Sequence, residues 1–167
     1  MIELDGLPPA VVVLLAAGAW LIIGLATGWV GNRIPTRRLD HDTWVTRSRR
    51  FEREGRLYER VFRVRRWKDL LPEAGGFFRG GISKARIPDR SDQTLERFVI
   101  ETRRAEYVHW SNAFAGPLFF VFRPCLFGIL MTAFGLLCHL PFVVVQRYNR
   151  LRLERLLSRR RNVPPSG

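Results

Sequence analysis

The feature that most constrains this chain is the placement of its uncharged stretches. No Asp, Glu, Lys or Arg occurs from Gly6 to Asn32, and two further uncharged runs cover Tyr107 to Phe122 and Pro124 to Gln146. A hydrocarbon layer about 30 Å thick is crossed by ~20 residues of α-helix. The first and third runs meet that length, and the second meets it when its polar entrance is included. The expectation is an all-α integral membrane protein with about three transmembrane helices. The leader before the first run is acidic (Glu3, Asp5) and the run is too long for a cleavable signal core, so it reads as a retained helix.

The charges that do occur are strongly basic, 28 Lys and Arg against 15 Asp and Glu. A net charge of +13 raises the question of nucleic acid, but the distribution argues against it. Of the basic residues, 20 lie between Arg33 and Arg104, 7 between Arg147 and Arg161, and Arg123 stands apart. Basic loops stay on the cytoplasmic side. The prediction is therefore N-out and C-in in the cell membrane, multi-pass, with the lipid bilayer as partner and no nucleic acid. One membrane domain over 1–167 divides into a first transmembrane helix (8–31), a basic cytoplasmic interfacial segment (33–92), a helix entering the membrane (93–122), a third transmembrane helix (124–146) and a basic cytoplasmic tail (147–167).

Within the interfacial segment, Leu57, Val61 and Val64 recur at helical spacing among arginines, which predicts a basic amphipathic helix over 53–67 lying on the membrane surface. Residues 68–92 hold four glycines and two prolines and read as a loop, either a mobile lid or a plain connection. Helix resumes after Ser91 or Asp92, with Leu95, Phe98, Val99 and Thr102 on one face, and is expected to run unbroken to 122 with a kink at Gly116-Pro117. The tail leucines Leu153, Leu156 and Leu157 read as interfacial, and the final NVPPSG as disordered.

Two polar clusters stand at the membrane border. In ETRRAEYVHW (101–110), steps of four place Glu101, Ala105 and His109 on one face, and Glu106 lies three before His109. A carboxylate beside an imidazole fixes its tautomer and favours its charged form, while partial dehydration opposes that, which suits general-base work near neutral pH. The competing reading is a salt-bridge network, since Glu106 also lies three after Arg103, and spacing alone favours it. In QRYNRLR (146–152), Gln146, Asn149 and Arg150 share a helical face, with Arg147 and Tyr148 at the same depth. Such donors suit a sugar, a phosphate or a carboxylate, and equally suit anchoring to anionic lipid. His41 reads as a surface residue and His139 as a satisfied, buried one. There is no phosphate-binding Gly-rich loop, no Gly-x-Ser-x-Gly elbow and no Cys/His set with metal spacing, so no metal or cofactor is expected.

Four stretches in order, RIP (33–35), VRRWKDLLPEAG (64–75), IETRRAEYVHW (100–110) and VVQRYNRLRL (144–153), resemble the glycosyl-4,4'-diaponeurosporenoate acyltransferase family. The resemblance covers roughly 15–157 and implies a membrane O-acyltransferase that esterifies the sugar of a glycolipid such as a carotenoid glycoside. It falls on Trp67, Lys68, Glu101, Arg103, Arg104, Glu106, His109, Trp110, Gln146, Arg147, Asn149 and Arg150, and tips the border clusters toward an active site. In that reading His109 is the general base, oriented by Glu101 or Glu106, and Trp67, Lys68, Arg103, Arg104, Trp110, Gln146, Arg147, Asn149 and Arg150 bind substrate. The acyl donor is a thioester such as acyl-CoA. A non-enzymatic anionic-lipid-binding or scaffold protein is the alternative.

Overall fold

A computed structural model describes residues 2–4, 6–71 and 91–162. Residues 72–90 of the loop expected over 68–92, and the last five residues, 163–167, lie outside the described residues. Among the described residues the regular elements are helices and 3₁₀ turns, with one two-residue parallel pairing, β1 (Ile2–Glu3) with β2 (Phe122–Arg123).

Helix α1 spans Pro9–Arg33, with proline in its first turn, where a missing N–H costs nothing. Its length is about 37 Å at 1.5 Å per residue. Only 6% of its most apolar stretch is buried inside the protein, so α1 is not the core helix of a soluble domain. Val11, Val13, Leu14, Leu15, Leu21, Ile22, Leu25, Trp29 and Val30 are all exposed. Removing such side chains from water is worth ~2 kcal/mol each, and together that rivals the entire net stability of an ordinary domain. A second helix, α5 (Cys125–Arg161), carries a comparable apolar stretch, 22% buried. These two helices are long and apolar enough to cross a membrane.

Helix α4 spans Asp92–Ala113 and starts at Ser91, whose hydroxyl accepts from the Thr94 amide at 3.3 Å. The unbroken helix expected over 93–122 is corrected here. The chain leaves α4 at Phe114-Ala115 and continues as a 3₁₀ turn, Gly116–Val121. Pro117 supplies no ladder N–H, and its ring would clash with the carbonyl four residues earlier. Gly116 also lies so close to α5 that a Cβ there would stand 2.3 Å from Thr132 Cα.

The three segments pack side by side. Gly31 of α1 meets Val108 of α4, and Thr27 Oγ1 lies 3.1 Å from Asn112 Oδ1, so these helices run antiparallel. Asp92 meets Arg160 and Glu96 meets Arg161 at one end of the α4–α5 pair, and Gly116 meets Thr132 toward the other, so these too are antiparallel. Residues 147–161, expected as a basic tail with interfacial leucines, continue α5. Leu157 buries against Leu95 and Val99 of α4, with Leu153 packed beside them.

The single amphipathic helix expected over 53–67 is also corrected. A 3₁₀ turn (Arg50–Gly55), α3 (Arg56–Arg60) and two more 3₁₀ turns (Val64–Arg66, Lys68–Leu70) follow one another. The breaks fall where the backbone turns left-handed, at Glu54 and Gly55 (φ 56° and 91°) and at Arg63 (φ 49°). The apolar periodicity misled because Tyr58, not Val61, enters the core: Tyr58 and Val64 pack on Val145, Tyr148 and Leu151 of α5, while Val61 stays 60% exposed. A short helix, α2 (Thr36–Leu39), joins α1 to this cap.

Candidate active site

Where the apolar run of α5 gives way to arginine, the structure buries an ionic cluster. Glu106 of α4 is fully buried and takes Arg147 Nη1 at 2.6 Å on one oxygen and Arg150 Nη1 on the other. Glu52, equally buried, receives Arg147 Nε at 2.8 Å, the Tyr58 hydroxyl, and the Arg49 amide at 2.5 Å. Other guanidinium donors reach the cap's backbone: Arg147 to Val45 O (2.8 Å) and Arg47 O (3.0 Å), Arg150 to Thr46 O (2.5 Å). Arg150 Nε is buried without a hydrogen-bond partner among the described residues, 4.0 Å from Glu154. Two carboxylates and two arginines thus bolt the 43–52 loop to both long helices.

The electrostatics are those of a matched buried set. Burial pushes the Glu52 carboxyl up, but the bonds from Arg147, Tyr58 and the Arg49 amide outweigh it and hold it below the ordinary carboxylate value. Burial disfavours the Arg147 charge, and the hydrogen bonds and charges of Glu52 and Glu106 more than restore it, so its pKa is raised. The Tyr58 hydroxyl is pushed up by burial and by its bond to Glu52. Glu154 is raised, its burial outweighing the nearby arginines.

Two further arginines act as structural clamps. Arg103 pairs with Asp42 (2.9 Å) and Glu154 (3.0 Å) and donates to Leu39 O and Asp40 O. Arg104 caps the end of α1, donating to Gly31 O at 2.8 Å, Asn32 O at 3.3 Å and Ile34 O at 2.9 Å. Its Nε lies 3.3 Å from Glu101.

Of the two carboxylates expected to orient His109, Glu106 meets guanidinium groups at both oxygens and Glu101 pairs with Arg104. A buried carboxylate gains more from a permanently charged guanidinium than from an imidazole that can be neutral. Instead His109 Nδ1 lies 3.3 Å from His139 Nδ1 of α5, and the His109 ring stacks on Phe142 with centroids 4.6 Å apart and planes at 16°. His139, read from sequence as a satisfied core residue, is half-buried and joins α4 to α5 through this pair.

The other predicted residues are dispersed. Trp110 Nε1 lies 3.4 Å from Glu106 and its ring stacks on Phe114. Trp67 donates to Phe62 O and packs against the Tyr58–Tyr148 core, and Lys68 pairs with Asp69. The face expected to hold Gln146, Asn149 and Arg150 is divided: Arg150 is fully buried, and Gln146 and Asn149 are half-buried. His41 is exposed, as expected. Sequence reasoning missed Glu52, Tyr58 and Thr46. The available signal was an acidic residue isolated in the basic stretch RSRRFER (47–53), which in a buried cap calls for a partner.

A family model described as glycosyl-4,4'-diaponeurosporenoate acyltransferase matches residues 41–159. Two relatives bear that name, from Staphylococcus aureus strains bovine RF122 / ET3-1 and USA300. They are 30% and 29% identical over 138 residues, 83% of this chain and 83% of each relative. No solved structure matches. The matched region contains the caps, the ionic cluster and the histidine pair, and the chain belongs to the glycosyl-4,4'-diaponeurosporenoate acyltransferase family and is an acyltransferase.

Proposed function

We propose that this acyltransferase moves a fatty acyl group from a thioester donor such as acyl-CoA to a sugar hydroxyl of a membrane glycolipid. A glycosylated carotenoid is the acceptor that the names of its relatives point to. The observation that carries the site is the His109–His139 pair. Its His109 lies on α4 three residues, about one helical turn, to the apolar side of Glu106 in the buried arginine cluster. A sugar headgroup on a long apolar tail reaches that depth with its tail among the exposed apolar side chains of α1 and α5. The reading takes the bundle as three crossings, N-out and C-in. Its support is that α1, the 107–122 stretch and α5 lie side by side, and that the arginine-rich ends gather opposite the β1–β2 pair.

His109 acts as general base. It takes the proton of the sugar hydroxyl while that oxygen attacks the thioester carbonyl carbon. The C–S bond then breaks, and the departing thiolate recovers the proton from the imidazolium. The products are the ester and the free thiol, and the route uses the thioester as co-substrate with no cofactor. The ionic cluster holds the two helices in register for this pair; cations elsewhere on the cap and tail attract the donor's phosphates.

The test is to express the chain in cells that make a glycosylated carotenoid. The expected result is a pigment heavier by one acyl group and more soluble in apolar solvent. An unchanged pigment, with the protein present in the membrane fraction, refutes this acceptor.

A further inference from the structure

We infer that His139 is a positioning residue: it accepts a hydrogen bond from His109 Nδ1–H and so keeps the opposite nitrogen, Nε2, bare to receive the substrate proton. This rests on the reading of His109 as the base. The two Nδ1 atoms are 3.3 Å apart, so one ring donates and the other accepts. With His109 as donor, its Nε2 holds a lone pair on the far side of the ring. With His139 as donor, His109 carries its proton on Nε2 and cannot act as a base there.

The choice between the two follows from what happens during reaction. When His109 takes a proton it becomes an imidazolium, and its Nδ1–H bond to a neutral His139 becomes charge-assisted and stronger. An interaction that strengthens as charge develops lowers the barrier, where one of constant strength does not. The reverse arrangement would turn two N–H groups toward each other on protonation. This is the role an acidic residue commonly plays beside a catalytic imidazole, but both border carboxylates are engaged by arginines. The Phe142 ring against His109 limits its rotation, and Trp20 lies beside His139 with ring centroids 6.2 Å apart, so both imidazoles are held by aromatic neighbours.

Two substitutions separate positioning from packing. His139→Asn keeps an acceptor oxygen near the place of Nδ1, whereas His139→Phe fills the space without one. In purified full-length protein with acyl-CoA and a glycosylated carotenoid, the expected result is a loss in kcat of about a hundredfold for His139→Phe, with KM nearly unchanged. His139→Asn should recover most of that loss. A folded His139→Phe enzyme with unaltered kcat, or equal losses in the two variants, overturns the inference. The ring ¹⁵N resonances of His109 in the unsubstituted protein give an independent readout. Protonated Nδ1 with bare Nε2 supports the inference, and the opposite tautomer overturns it even if a variant fails to fold. The base reading fails separately: a folded, active His109→Ala enzyme refutes both, while an inactive His109→Ala with an active His139→Phe refutes only the role of His139.

Discussion

Two sites lie about one helical turn apart on α4 and are built on opposite principles. At Glu106 the carboxylate is fully buried and both oxygens face guanidinium groups, with Glu52 completing the set. At His109 the imidazole is half-buried, shares a hydrogen bond with a second imidazole and touches aromatic rings. In the first site permanent charges face each other, and both Glu106 oxygens are taken by guanidinium groups. The second holds two imidazoles, each, when neutral, with one ring nitrogen able to donate and one able to accept a proton. The comparison teaches that charge alone is not a sign of catalysis: the ionic cluster ties the 43–52 loop to α4 and α5, and the proposed chemistry falls to the less charged pair.

Substitutions should separate the two sites. The largest effect is expected for Glu106→Ala, which strands two buried guanidinium groups. Losing one partner of a buried ion pair costs about 3–5 kcal/mol, a large share of a typical domain's stability, and detergent-solubilised protein should show a strongly lowered unfolding temperature. Next comes Gly116→Ala, whose Cβ would meet the α5 backbone at Thr132, at 2.3 Å from Cα. Overpacking of that kind costs about 1–3 kcal/mol, and thermal unfolding measures it. Arg104→Ala removes the three carbonyl contacts that close α1. It should cost about 1–2 kcal/mol at ~1 kcal/mol per net hydrogen bond, and increase amide exchange at Gly31–Ile34 ahead of global unfolding.

The smallest effect is a pH dependence, and it sharpens the same contrast. The Glu52 pKa is held below its ordinary 4.5, so its contribution is complete above that value and fades as pH falls through the lower folded pKa. Glu154 is raised, so protonating it favours the folded state and works in the opposite sense as pH falls toward 4.5 from above. Unfolding temperature should hold or rise slightly down to about pH 4.5, then drop below it. In Glu52→Gln the drop should be shallower.

Much of the architecture was legible because apolar runs long enough to cross a membrane leave little choice of structure. Thus α1 and the apolar part of α5 lie where the uncharged runs begin and end. The salt-bridge reading that spacing favoured for this border cluster is met, though with other partners: Glu101 pairs with Arg104, and Glu106 with Arg147 and Arg150 in place of Arg103. The destination of Glu106 was not legible, because its partners on α5 are 41 and 44 residues away and helical spacing reports only near neighbours. The same limit hid the pairing of His109 with His139, 30 residues on. The cap at 50–70 was misread because period alone ignores left-handed breaks at residues other than glycine, such as Glu54 and Arg63.

The division of labour between the two sites is tested most directly by acyl transfer from purified His109→Ala protein whose unfolding temperature matches that of the unsubstituted chain. The expected result is a folded protein with kcat reduced at least a hundredfold, as loss of a general base predicts. Full activity in that folded protein would contradict the assignment of chemistry to the histidine pair.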